Sequence, residues 1–120
     1  MELQAVDITS LRACKKGENS ETIRRRITGA REIQRERFEG TKYRFNGDIE
    51  AADMEKYCTL GEKEQQYVEQ LYRSLNLSAR AYHRILKVAR TIADLAETAE
   101  IGVEHLLEAS FYRPAQEYWR

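Results

Sequence analysis

Arg80 and Arg84 are the side chains whose type and placement most plainly ask for a chemical reason. Ser78 reads as a helix N-cap, with Leu77 before it and Tyr82 after it spaced for a hydrophobic staple, so Arg80 falls at about the second helical position. The first turn carries the positive end of the helix dipole and unpaired backbone N–H groups, so an acid normally occupies such a position. Arg84, four residues on, adds like-charge repulsion. An anion brought from elsewhere would repair both costs, and a phosphate is the natural candidate, because helix N-termini already attract phosphates. The plain alternative is a pair of solvated arginines on a polar face.

The remaining reactive residue types suggest less. None of the six glycines stands in the G-x-x-x-x-G-K-[ST] spacing of a phosphate-binding loop. Glu62, Glu64 and Glu69 read as helix-surface acids, and Ser10, Ser74 and Ser110 have no histidine placed to activate them. Cys14, Cys58, His83 and His105 are too scattered for a zinc site and form no C-x-x-C pair. By itself the chain is expected not to be an enzyme. Six arginines between Arg24 and Arg37 face only Glu32 and Glu36. They fit a solvated face, a subunit contact or a phosphate-backbone contact, though no aromatic residues alternate with them as stacking platforms.

The element that must position Arg80 is the stretch from Ser78 to Glu97. On a 3.6-residue wheel Leu95, Val88, Ala81, Ile92, Ile85, Ala96, Ala89, Tyr82, Ala93 and Leu86 fill one half of the cylinder. Arg84, Thr91, Arg80, Lys87, Asp94, His83, Arg90 and Glu97 fill the other. So wide an apolar arc must touch several elements, which makes this the central helix, with its polar half expected to face water.

Taken in order, residues 1–18 show no firm period. Asn19 or Ser20 caps a helix to about Phe38, with Ile23, Ile27, Ala30, Gln34 and Phe38 as its inward stripe. Gly40 is a plausible stop, and Tyr43 and Phe45 alternate as if packed on something. A short helix over Asp48 to Tyr57 would bury Ile49, Ala52, Met54 and Tyr57. Thr59 and Glu62 have capping-box spacing for a helix to about Leu75, inward through Tyr67, Val68, Leu71, Tyr72 and Leu75. The short Asn76-Leu77 link makes that helix a close neighbour of the central one. Beyond a turn over Thr98 to Gly102, Ile101 and Leu106 form a second staple, and Val103, Leu106, Leu107 and Phe111 face inward until Pro114 ends the helix. The tail AQEYWR carries an aromatic pair, for which folding back is the commoner fate.

A chain of 120 residues suits one all-α domain, a small helical bundle, and one Pro with six Gly leaves long segments unbroken. The formal charge is zero, with 12 basic against 11 acidic residues in the first sixty, so neither half is a nucleic-acid tail. No secretory signal or membrane-length apolar run is visible, which points to the bacterial cytoplasm and to no membrane partner.

The run LSARAYHRILKVARTIADL with IGVEHLLEA after it closely resembles the C-terminal domain of the bacterial magnesium-chelatase-like AAA+ ATPases of the YifB/ComM family. GENSETIRRRI, AREIQRERF and YCTLGEKEQ extend the resemblance over roughly residues 17 to 113, and the motif from Ser78 to Leu95 is its specific part. It implies an AAA+ lid-like domain over 19–120, preceded by a poorly matching arm or junction over 1–18. It further implies that Arg80 is the sensor-2 arginine, with Arg84 a second nucleotide-binding candidate. ATP and Mg²⁺ would then belong to the parent protein only, held by an upstream AAA+ core. Neighbouring subunits of a hexamer are the expected partners, and the parent motor would act on DNA, in the ComM branch during natural transformation. The competing reading is a self-contained DNA-binding module, with helices 62–75 and 78–97 as a helix-turn-helix that reads bases through Arg80, His83, Arg84 and Lys87. Zero net charge argues against it.

Overall fold

The computed structural model describes residues 19–112, and the N-terminal arm, Pro114 and the AQEYWR tail lie outside them. Asn19 starts the first helix, α1 (Ser20–Phe38), its side chain accepting from Thr22 N at 2.9 Å. Ala30, Gln34 and Phe38 of the expected stripe are buried, and Ile23 and Ile27 half-buried. The helix ends where Glu39 turns extended and Gly40 takes φ +79°, a conformation that costs glycine nothing.

Residues 46–57 form two 3₁₀ turns, Asn46–Asp48 and Ala51–Asp53, followed by the single-turn helix α2 (Met54–Tyr57), rather than one helix from Asp48. Asp48 explains the difference, because its carboxylate accepts from the backbone N–H groups of Arg44 and Phe45 and closes a turn behind itself. Ile49 is extended, so Ile49 and Met54 reach the core while Ala52 stays exposed. Phe38, Tyr43 and Tyr57 pack edge to face, with centroids 5.1 to 6.0 Å apart.

Helix α3 (Glu62–Ser74) is capped by Gly61. Thr59 does not cap it, since its hydroxyl donates to Glu55 O and finishes α2 instead. Val68 is fully buried, but Tyr72 and Leu75, expected inside, are 41% and 40% exposed. Asn76, at φ 51°, ends α3 in a Schellman motif in which Leu77 N donates to Tyr72 O and Asn76 N to Arg73 O. The chain thereby turns directly into α4 (Ala79–Leu95). Helices α3 and α4 meet at this corner, where Tyr72 packs edge to face on Tyr82, and α3 otherwise leans on α5 (Val103–Ala109).

Helix α4 is the centre of an all-α fold, packed on α5, α1 and the Asn46–Asp48 turn, and no strand occurs among the described residues. Ile85, Leu86, Val88, Ala89, Ile92, Ala93 and Leu95 are all buried. It stops two residues short of Glu97 in a second Schellman motif, Thr98 N donating to Ala93 O and Glu97 N to Asp94 O, with Glu97 at φ 57°. Ile101 and Leu106 form the predicted staple and are both buried. The rest of the α5 expectation changes, because the helix ends at Ala109. Leu106, Ala109 and His105 point inward, whereas Leu107 is 45% and Phe111 68% exposed.

Candidate functional site

The start of α4 is built as its residues require. Ser78 Oγ accepts from Ala81 N at 3.1 Å, and Leu77 and Tyr82 pack against the core on either side of the cap. Arg80 is therefore the second residue of the helix. Its side chain is exposed and makes no hydrogen bond or ion pair with a described residue. Every other described α-helix has an acid in its first turn, and α4 has none.

Arg84 goes elsewhere. It is 9% exposed and engaged within the fold, so the two arginines do not form one solvent-facing pair. The reason is a stripe along α4 in which Arg80, Arg84, Lys87, Thr91 and Asp94 follow one another at helical spacing. This stripe, expected to face water, is covered from Arg84 onwards: Thr91, Asp94 and also Arg90 are buried. Lys87 Nζ donates to Gly47 O at 3.0 Å, and Asn46 Nδ2 donates to Thr91 Oγ1 at 3.0 Å and to Asp94 Oδ2 at 2.8 Å. The Asn46–Asp48 turn thus lies on the face a recognition helix would insert into a DNA groove. Of its four proposed base readers, Arg84 is buried, Lys87 is tied down, and His83 is half-buried against Tyr82.

At the far end of the stripe sits an ionic cluster. Arg37 leaves the basic run of α1 to grip Asp94 bidentately, Nη1 to Oδ2 at 2.8 Å and Nη2 to Oδ1 at 2.6 Å, and also donates to Asn46 Oδ1. Gln34 accepts from Asn46 N at 2.9 Å. Arg90 Nη2 lies 3.3 Å from Asp94 Oδ1, and its guanidinium donates to Thr98 O and Ala99 O at 3.0 Å each. One carboxylate therefore serves two guanidinium groups. Burial pulls the Arg90 pKa down, and Asp94 opposes that pull. Its Nε is buried with no partner among the described residues. Burial also pushes the nearby Cys58 thiol up to about 11, against the opposing charges of Arg90 and Arg37.

Arg37, Asn46, Gln34 and Asp94 were not picked out from the sequence as a site. A signal existed for Asp94: an acid in the last turn of a helix opposes the dipole just as Arg80 does in the first. Among the described residues no three His, Cys, Asp or Glu side chains are grouped to hold a metal, and no helix is long and apolar enough to cross a membrane.

An all-α domain around one buried helix is the fold anticipated for an AAA+ lid. Residues 17–113 match the family described as magnesium chelatase, subunit ChlI C-terminal, and the chain belongs to that family. The competence protein ComM of Haemophilus influenzae is 42% identical over 98 residues, covering 82% of this chain and 18% of the relative. The YifB proteins of Salmonella typhimurium and Escherichia coli are 40% and 37% identical over 98 and 97 residues, covering 82% and 81% of this chain and 19% and 18% of theirs. The chain thus spans less than a fifth of the length of these relatives.

Proposed function

We propose that this domain is the helical lid of a magnesium-chelatase-like AAA+ ATPase and that Arg80 is its sensor-2 arginine. The observation that carries the reading is Arg80 itself, exposed and unpaired in the first turn of a helix whose remaining turns are buried. A cation there lowers local stability, which makes sense if a γ-phosphate held by an upstream AAA+ core or a neighbouring subunit arrives to meet it. The residues suit one part of the ligand only. Arg80 and the first-turn amides match a phosphate, whereas Mg²⁺ and the adenosine would be held by the core. ATP bound there supplies the phosphoryl group.

Arg80 would stabilise negative charge on the transferring phosphoryl and report its loss. The Arg37–Asp94 pair and the Asn46–Asp48 turn bind α1 to α4, so that a push on Arg80 would move these elements as one body. The parent would be a hexameric motor, with DNA as the polymer it works on. The 120-residue chain alone should hydrolyse no ATP.

Arg80→Ala tests this in two settings. In the 120-residue chain it should leave stability unchanged or raise it by about 0.3–1 kcal/mol, as a cation leaves the positive end of a dipole. In the full-length parent it should lower ATP turnover on the order of 10³-fold. Full turnover in the mutant parent would rule the assignment out.

A further inference from the structure

Helix α1 is charged unevenly in a way that the fold does not use. It carries six arginines against three glutamates in a chain whose net charge is zero. Arg37 is consumed by Asp94. Of the others, Arg24, Arg31 and Arg35 fall with Thr28 on a single line at i, i+7, i+11 and i+4, flanking the buried stripe, and all four are exposed. No acid lies on that line between Arg24 and Arg35, and Glu21, one turn before Arg24, pairs with Arg25. Arg31 and Arg35 are like charges one turn apart, which weakens an isolated helix. Arg24 and Arg31 have no ion-pair partner among the described residues, and Arg35 pairs only with Glu32 on the adjoining line, where both side chains are more than half exposed. Solvation leaves such a pair little strength, so Arg35 can exchange Glu32 for another anion.

We infer that this line is a docking surface for the phosphate backbone of a nucleic acid. From Arg24 to Arg35 it spans about 16 Å at 1.5 Å per residue. That length of duplex presents about five phosphates on one strand at 3.4 Å spacing, enough to engage all three guanidinium groups. Arginine suits phosphate through its two-pronged donor geometry, and the Thr28 hydroxyl adds a neutral donor between the first two. With no aromatic residue on the line there is nothing to stack on bases, so the contact is indifferent to sequence. The inference does not depend on Arg80 or on ATP.

The test uses the 120-residue chain and fluorescence anisotropy with a labelled 20-base-pair duplex, titrated with salt. Three phosphate contacts give a slope of log K against log salt of about −2.7, or on the order of 40-fold weaker binding between 50 and 200 mM salt. Two unrelated duplex sequences should bind alike. R24A/R31A/R35A should remove most of this slope, and the single variant R31A about one unit of it, a readout that survives if the triple variant folds poorly. R24K/R31K/R35K should retain most of the slope, because lysine keeps the charge. R25A, on a different line and paired with Glu21, should leave it unchanged. Absence of salt-dependent binding by the unmodified chain would overturn the inference, as would an unaltered slope in R31A. So would loss of self-association in the triple variant without any change in DNA binding, which would assign the line to an acidic face of a second copy.

Discussion

Replacing Asp94 by Asn should be among the most damaging single changes in this domain, although it removes only a charge. Asp94 is 1% exposed and faces four cationic or amide groups: Oδ1 accepts from Arg37 Nη2 and pairs with Arg90 Nη2 at 3.3 Å, and Oδ2 accepts from Arg37 Nη1 and Asn46 Nδ2. An Asn amide can keep one oxygen in place. Its NH₂ then faces two N–H groups at the other position, so two attractive contacts become repulsive. Each bond involving a charged group contributes about 1.5–3 kcal/mol, and two of them give about 3–6. Removing one partner of a buried ion pair costs about 3–5 kcal/mol by a separate route, the uncompensated charge left behind. Here two guanidinium groups are left, with side chains only 16% and 6% exposed. A loss of about 4 kcal/mol is therefore expected from urea unfolding followed by circular dichroism. At roughly 4–8 °C per kcal/mol it should lower Tm by well over 10 °C. A loss below 1 kcal/mol would show that the cluster is hydrated and open, and the account of how α1 is held to α4 would fail.

Ile85→Ala and Ile92→Ala should each cost about 2–5 kcal/mol in the same assay, because both side chains sit in the packed arc of α4; an unchanged midpoint would mean that the arc is loosely packed. Glu97→Gly should raise stability by about 1 kcal/mol, since Glu97 holds φ 57° at a helix end where glycine is unstrained, and a decrease would show that the Glu97 side chain matters more than its backbone. Cys58 should resist iodoacetamide at pH 8 until denaturant is added, read by site-resolved mass spectrometry. Its thiol rises from 9.0 to about 11 on folding, so the native state holds that proton more tightly than the unfolded chain does. The stability this contributes is fully present below pH 9 and is lost as pH rises from 9 to 11.

What the sequence determined by itself were the features that depend on a few neighbouring residues. The Asn19 and Ser78 caps, the α1 stripe, the staple around Gly102, the apolar arc of α4 and the place of Arg80 are all written in spacings of three to four residues. Caps and wheels act at that range, and the motif from Ser78 to Leu95 carried the family in the same way. Tertiary structure decided what covers each face. A wheel sorts Arg84, Thr91 and Asp94 onto one side of α4 but cannot see that Asn46, 45 and 48 residues away from Thr91 and Asp94, and Arg37, 57 away from Asp94, come down upon that side. Residues 46–57 divide into short turns for a local reason, the Asp48 carboxylate closing on Arg44 N and Phe45 N, and the long-range contacts of Asn46 then fix that turn against α4. Arg80 kept the exposure its sequence implied because it stands one turn beyond the end of that cover.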